Sequence, residues 1–545
     1  NTFNLELSLS KLFEKPTIAQ LAEVLVGQEL EQKESQIIPR VSWEQEIPLS
    51  YPQQLMWYWP LIGVFSFTVD GILNKAVLEQ SFNEIIRRHE SLRTSFISVD
   101  GKPIQVISTV AKINLSVVEL SSSPEQITQL EELAITESEK PFDLAQGPPL
   151  RVTLVQLSSE THVVMLVMDH IIYDGWSIGI IMSELLTLYE AYSQGNPSPL
   201  SELPIQYTDY TYWQRHQTAE VLEKHLSYWR HKLAGTSSIS PLLTDRRPPE
   251  VGSFDTQAGL EVFEINQNLK QKLEQLGKEL GTTLFTIIMS AFFALLYRYS
   301  GESDLILAAV NANRNRVEIE PLIGMFANML AIRAQFPDDS SFTELLTQVT
   351  QTTEEAYEHQ DIYITKLSEE LFPERNFREN PLVRVFVDLV NIGSFYSWDI
   401  PGLKITQGSL INMPTNANSA YLDLQILIME TTSGRGLEGL IFYKNDNIFD
   451  RATIVRLVEH FLTLLTAIVA NPQEKISKLP LITAAEKQKI LQEWNNTKTD
   501  YPTDRCIHQL FEKVVEKNPN AVALIFEDQQ LTYAQLNEKA NQLAH

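Results

Sequence analysis

An α+β fold built as more than one lobe is what this sequence predicts, and three observations carry the prediction. The chain has 545 residues, of which 43% are hydrophobic, enough to fill several cores. Stretches with helical spacing and short runs of β-formers both occur. They alternate without the strand–helix–strand rhythm of a parallel, doubly wound sheet. In chain order, residues 27–46 are polar, rich in Glu and Gln, and read as a linker. Residues 73–91 predict a helix whose apolar face is Val77, Leu78, Phe82, Ile85 and Ile86. Residues 163–168, Val-Val-Met-Leu-Val-Met, predict a strand, and 176–192 a helix with Ile178, Ile181, Leu185, Leu188 and Tyr189 on one side. A first lobe ends at about Arg215 and a second begins near Val221. In that second lobe the pattern predicts helices at 269–280 and 284–299, strands at 305–310, 424–429 and 437–443, and a closing amphipathic helix at 452–470.

Composition removes whole classes of function. The formal charge of -26 argues against nucleic acid as a partner, because phosphate binding needs a basic face. A single cysteine, Cys506, excludes a disulfide framework and a cysteine-rich metal site, and no metal is expected. No apolar stretch is expected to approach the ~20 residues of a membrane span, and 287–297 reads as a buried helix, so no membrane partner is expected. Asn1 opens no signal peptide, and the expected compartment is the cytoplasm.

The segment Asp169-His-Ile-Ile-Tyr-Asp-Gly175 lies where the 163–168 strand ends and the 176–192 helix begins. It gathers an imidazole, a carboxylate and a glycine at one turn. Glycine at 175 permits a positive φ and a close backbone approach, and the first amides of a helix have no intrahelical acceptors and can face a developing negative charge. Asp174 is placed to bind a cation or those amides, or simply to cap the helix. On these seven residues alone the catalytic and the structural readings stand level.

The run resembles the His-His-x-x-x-Asp-Gly core motif of condensation domains from non-ribosomal peptide synthetases, with Asp169 in place of the first histidine. Other segments resemble that family in the same order: Ser50-Tyr-Pro-Gln-Gln-Leu-Met-Trp57, Arg88-His-Glu-Ser-Leu-Arg-Thr-Ser-Phe96, Tyr207-Thr-Asp-Tyr-Thr-Tyr-Trp213, Ile323 to Arg333, His359-Gln-Asp361 and Arg375 to Leu382. The resemblance covers residues 48–480, with a first lobe at 48–215 and a second at 216–480. It implies two chloramphenicol-acetyltransferase-like lobes forming a V-shaped pseudo-dimer around a central tunnel. Residues 1–26 resemble the end of a peptidyl carrier domain, 27–47 form a linker, and 481–545 resemble a linker and the start of an adenylation domain. The chain therefore reads as a piece of a larger synthetase.

The resemblance implies an acyltransferase that forms a peptide bond. The amine of an aminoacyl group on a downstream carrier attacks an acyl thioester on an upstream carrier. Both substrates ride on the 4'-phosphopantetheine of partner peptidyl carrier domains, an adenylation domain is adjacent, and no cofactor belongs to this chain itself. His170 is the catalytic candidate, as a general base or as a group that positions the amine or hydrogen-bonds the intermediate. Asp174 is implied to be structural and paired with an arginine of the second motif, Arg93 best and Arg88 otherwise. Gly175 offers its amide to the site. Trp176, Ser177, Asn328 and Arg333 are implied to line the tunnel. His89 reads as structural, His359 as lobe packing, and Tyr207, Asp209 and Trp213 as core or lobe-joining residues.

Asp169 is the departure from the family pattern. Successive residues at a strand end point to opposite sides, so Asp169 and His170 are not expected to form a catalytic pair. A carboxylate there needs a hydrogen-bonding or cationic partner, or burial holds it protonated. Asp169, Asp174 and Ser177 also fit the Asp-x-x-x-x-Asp-x-x-Ser spacing of heterocyclisation domains, which is the alternative activity. A catalytically degenerate docking platform is the alternative of another kind. An epimerisation domain fits less well, because an adenylation start follows directly.

Overall fold

The computed structural model describes Thr17 and residues 38–545 except 111, 121–124, 237–243, 247–257, 338–339, 372, 374–381, 391–396, 408–421, 432–435, 445–447 and 502. The carrier-like segment 1–26, most of the linker, and most of the Arg375 to Leu382 motif lie outside the described residues. The chain divides into two compact units, Asn1–Leu481 and Ile482–His545.

The strands of the first unit are β1 (Ile47–Pro48), β2 (Ile62–Gly71), β3 (Thr94–Val99), β4 (Lys102–Ile107), β5 (Ser116–Glu119), β6 (Leu150–Gln156), β7 (Thr161–Asp169), β8 (Ala258–Asn266), β9 (Asp304–Asn311), β10 (Asn328–Gln335), β11 (Val385–Val390), β12 (Ser397–Ile400), β13 (Leu403–Gln407), β14 (Leu424–Glu430) and β15 (Gly436–Lys444). Two six-stranded sheets, β12-β13-β2-β7-β6-β5 and β10-β9-β11-β14-β15-β8, organise two lobes, and β1-β4-β3 form a small third sheet. The architecture is the two-lobed α+β one expected.

β7 reads as an unbroken apolar run because it is covered on both faces. Val164, Leu166 and Met168 belong to the main core of the first lobe with Leu78, Phe82 and Leu185. Val163, Met165 and Val167 pack instead with Leu130 and Ala134 of the Gln126–Glu139 helix. The Lys75–Arg88 helix starts at Asn74, whose side chain accepts from the amides of Ala76 and Val77, and it buries Leu78, Phe82, Ile85 and Ile86. In the second lobe the Leu284–Ser300 helix is capped by Thr283 and stopped by Gly301 at φ 77, and every residue from 286 to 296 is buried.

The Arg451–Ala470 helix corrects one expectation. Its 20 residues are long and apolar enough to cross a membrane, which no stretch was expected to be. Ile454, Leu457, Phe461, Leu464, Leu465 and Ile468 are all buried in the second-lobe core, as in a core helix of a globular lobe.

Chain order and space part company at the lobe boundary drawn at 215/216. β13, though it follows that boundary by almost two hundred residues, pairs antiparallel with β2 from Leu403↔Gly71 to Gln407↔Phe67. Leu403 and Ile405 enter the first-lobe core together with Ile323 and Met325. The crossing strand covers an edge of the first-lobe sheet that would otherwise expose unpaired backbone. The second unit comprises the Ile507–Lys517 helix, a hairpin of β16 (Val522–Phe526) and β17 (Gln529–Thr532), and the Tyr533–Ala544 helix.

Candidate active site

β7 ends at Asp169, and the chain turns through a single 3-10 turn, His170–Ile172, before the Gly175–Ser193 helix begins. Three contacts fix this turn. The His170 amide donates to the Leu61 carbonyl at 2.8 Å, the Ile171 amide donates to Asp169 Oδ1 at 2.9 Å, and Gln53 Nε2 donates to the Ile171 carbonyl at 3.2 Å. The His170 ring stacks on Tyr173 with centroids 4.3 Å apart and 30° between planes. Phe65 meets Tyr173 edge-on at 5.7 Å. Room for Tyr173 comes from Gly63, where a Cβ would lie 2.0 Å from the tyrosine hydroxyl.

Asp174 is the N-cap of the Gly175–Ser193 helix and is almost fully saturated. Its carboxylate accepts from the Ser177 amide at 2.9 Å, the Ser177 hydroxyl at 2.7 Å and the Phe326 amide at 3.1 Å. Arg314 Nη2 reaches both of its oxygens, at 3.0 and 3.2 Å, in a pair that is essentially inaccessible to water. Arg314 also donates to the carbonyls of Ile319 and Leu322 and lies over the Phe326 ring, 4.1 Å from its centroid. The first-lobe turn is thereby clamped to residues 314–326, which lead into the second-lobe strand β10. Tyr207 seals the same junction, donating to the Met325 carbonyl at 2.5 Å and accepting from Ser50 Oγ at 2.7 Å.

His170, Asp174 and Gly175 line a cavity of about 220 Å³ whose other walls include Met56, Asn328, Tyr363 and Phe386. A second cavity of about 790 Å³ shares Asp174, Gly175, Val310 and Ala327 with the first and is also lined by Trp176 and Asp388. Burial pushes the His170 pKa from 6.5 down to about 4 against the weaker opposing pull of Asp174. At neutral pH the imidazole is therefore uncharged. Such a group, beside the first turn of a helix and facing an apolar cavity, can accept a proton or a hydrogen bond from an amine, while the helix amides favour a developing oxyanion.

A family model described as the condensation domain matches residues 44–491. The chain belongs to the condensation domain family. A linear gramicidin synthase of Brevibacillus parabrevis is 40% identical over 99% of this condensation domain chain, which spans 11% of that protein. Surfactin synthase subunit 1 of Bacillus subtilis (strain 168) is 33% identical over 99% of the chain, which spans 15% of it. Among solved structures, the X-domain from teicoplanin biosynthesis superposes with a TM-score of 0.72 at 24% identity, over 82% of this chain and all of that one. A four-domain nonribosomal peptide synthetase bound to AMP and glycine gives a TM-score of 0.76 at 20% identity, over 92% of this chain and 38% of that one.

Placement of the sequence-derived residues in this condensation domain is uneven. His170 and Gly175 sit together at the cavity. Gly175 does not take a positive φ, and a Cβ there would meet nothing within 4 Å, so the glycine leaves open space in front of the turn rather than relieving backbone strain. The pairing of Asp174 with Arg93 or Arg88 does not form, because both arginines have other partners. Arg88 makes a two-point contact to Glu184 at 3.1 and 3.0 Å, and Arg93 faces Glu90 at 3.7 Å and donates to the Ser108 carbonyl. Arg314, which the sequence reading missed, takes the role.

Asn328 and Trp176 border the two cavities, but each is also held by the backbone. Asn328 donates to the carbonyls of Gln360 and Ile362, and the Trp176 indole donates to the Glu320 carbonyl. Ser177 and Arg333 line neither cavity. Ser177 is fully buried between Asp174 and Gly324. Arg333 turns the other way, to Asp304 at 2.7 and 2.6 Å and to the carbonyls of Lys232 and Ala234. His89 donates through Nε2 to Glu184 and accepts the Ile323 amide at Nδ1, a neutral structural histidine whose pKa burial lowers. His359 stacks on Tyr228 and meets His225, both on the Ala219–Lys232 helix.

Asp169 keeps one hydrogen bond, from the Ile171 amide, and has no cation within salt-bridge distance among the described residues. By strand alternation it shares the face of Val167, away from the cavity. Burial raises its pKa from 3.8 to about 6. A heterocyclisation role gains no support from this placement.

Proposed function

We propose that this condensation domain forms an amide bond between two carrier-bound substrates. The amine of an aminoacyl thioester attacks the carbonyl of an acyl or peptidyl thioester to form a tetrahedral oxyanion with a cationic nitrogen. As the oxyanion collapses the C–S bond breaks, and the proton lost from nitrogen ends on the departing sulfur, which leaves as the free phosphopantetheine thiol. Peptidyl carrier domains present both groups on phosphopantetheine arms, and an adenylation domain loads the acceptor. The observation that carries this reading is the uncharged His170 imidazole facing the cavity beside Gly175.

That same observation supports one of the roles open to His170. An α-amino group has a pKa of about 8, so a fair fraction is neutral at about pH 7.5 without help. A base with a pKa of about 4 gains little by removing a proton before attack. His170 acts by accepting a hydrogen bond from the attacking amine, orienting its lone pair, and sheltering the proton as the nitrogen turns cationic in the tetrahedral intermediate.

The test is a reconstitution in which both carriers are loaded and the downstream carrier is followed by intact mass. Transfer of the acyl group to the aminoacyl carrier, abolished by His170→Ala, is the expected result. Transfer at the same rate in His170→Ala refutes the assigned role, and a product lighter by one further water identifies cyclisation instead.

A further inference from the structure

The larger of the two cavities is bordered by a carboxyl group that the reaction scheme does not use. Three carboxyl groups border it: Asp174, Glu184 and Asp388. Asp174 is neutralised by Arg314, and Glu184 by Arg88 with a hydrogen bond to His89. Asp388 has neither. Among the described residues no lysine, arginine or histidine borders this cavity, and none lies within salt-bridge distance of Asp388. Among the described residues a backbone hydrogen bond at Leu389 favours its ionised form, and the neutral Tyr357 side chain lies near it.

Asp388 stands on β11 two residues after Phe386, so both project from one face of the second-lobe sheet. Phe386 lines the His170 cavity and Asp388 the adjoining one. Across the space lies the first turn of the Gly175–Ser193 helix, where Gly175 presents no side chain. A lone carboxyl on an otherwise apolar wall is costly unless something pairs with it. Burial raises its pKa from 3.8 to about 7, so a cation arriving beside it recovers a large interaction.

We propose that Asp388 is a specificity-determining residue that binds an ammonium group of the amine-bearing substrate as it occupies this cavity. The proposal rests on the amide-forming reading and names the substrate chemistry of the same channel. An ammonium fits because the amine-bearing partner of the reaction carries one at neutral pH in its α-amino group, which leaves Asp388 and loses its proton before it meets His170 and attacks, and a basic side chain supplies a second source.

The experiment uses the whole chain with an acyl N-acetylcysteamine thioester as donor and leucyl or ornithyl N-acetylcysteamine thioesters as acceptors, in the wild type, Asp388→Asn, Asp388→Leu and Asp388→Glu. A tenfold or greater rise in KM for both acceptors in the Asn and Leu variants, with kcat held within about threefold and partial recovery in Glu, identifies the α-ammonium as the bound group. The same rise confined to the ornithyl acceptor identifies a side-chain ammonium. KM unchanged for both acceptors overturns the proposal while leaving amide formation intact. Should the wild type form no amide, the functional reading fails separately. Calorimetric binding of the leucyl and ornithyl thioesters then decides this one, and affinity unaltered by Asp388→Asn overturns it.

Discussion

Asp174 and Asp169 bracket the His170 turn, and the two carboxyl groups could hardly be treated more differently. Asp174 accepts from two backbone amides, a hydroxyl and a guanidinium, and it joins the first lobe to residues 314–326. Asp169 accepts from one amide and has no cation within salt-bridge distance among the described residues. The side of the turn that enters the Gly175–Ser193 helix is fixed by a saturated ionic network, whereas the side that leaves β7 is held by hydrogen bonds to Leu61, Asp169 and Gln53 without an ion pair among the described residues. The loop that aims His170 is therefore tied to residues 314–326 through Asp174, and the unpaired Asp169 carboxyl is a burden that the fold tolerates.

The largest expected effect tests the residue between them. His170→Ala should lower amide formation by roughly 10²- to 10⁴-fold while leaving thermal stability near that of the wild type, because the ring faces a cavity. The pH–rate profile of the wild type sharpens this. With the imidazole pKa at about 4, kcat should show no inflection near 6.5 that depends on His170, and it should climb toward the amine pKa of about 8. A clear inflection near 6.5 that disappears in His170→Ala would show a titrating base and refute the hydrogen-bonding role.

Next in size is the clamp itself. Arg314→Ala strands the Asp174 carboxylate in a site without water access and should cost about 3–5 kcal/mol in urea unfolding. Amide formation should fall with it, since the turn loses its tether to the second lobe. Arg93→Ala, by contrast, should leave amide formation near wild type, because Arg93 has no contact with Asp174. Loss of activity in Arg93→Ala equal to that in Arg314→Ala would break the comparison.

How much of this was legible beforehand follows from the range of each interaction. The strand, turn and helix around His170 are written in local periodicity, and the structure extends them by only a residue or two, to Thr161–Asp169 and Gly175–Ser193. The Asp174–Arg314 pair spans 140 residues, and nothing in local spacing separates Arg314 from Arg88 or Arg93. The family resemblance groups Asn328 and Arg333 as tunnel residues, yet they stand five apart on β10, an odd offset that sends them to opposite faces. Ser177 and Trp176 are neighbours on a helix, separated by about 100°, so one is buried while the other borders a cavity. Local spacing gives no sign of Asp388, because what distinguishes it is the absence of a cation, among the described residues, in a cavity built from both lobes.

Asp169 offers a third test, in its pH dependence. Its folded pKa is raised, so between pH 3.8 and about 6 the native state holds a proton that the unfolded chain releases. Stability then falls as pH rises through that window, and the penalty is complete above it, up to about 3 kcal/mol. Asp169→Asn should remove this term, stabilising the chain at pH 7.5 by a fraction of that figure and changing little at pH 4. Asp388 contributes a slope of the same sign and remains in both proteins, so the comparison must be made between variant and wild type at each pH. Equal stability of the two at pH 7.5 would mean that Asp169 has a stabilising partner at that pH.

The smallest effect concerns what lies beneath the imidazole. Among the described residues the Tyr173 hydroxyl is buried without a hydrogen-bond partner, and a Cβ at position 63 would stand 2.0 Å from it but 3.3 Å from the ring carbon that carries it. Gly63→Ala alone should therefore cost about 1–3 kcal/mol by overpacking. Tyr173→Phe alone should be neutral or slightly stabilising, since it deletes an unsatisfied polar group. In the double variant the remaining contacts at 3.3 Å need only small adjustments, so the two substitutions should couple favourably by about 1 kcal/mol or more in a double-mutant cycle. Additive costs would mean that the glycine is required by the β2 backbone rather than by Tyr173, and that the ring under His170 is positioned from the Phe65 side instead.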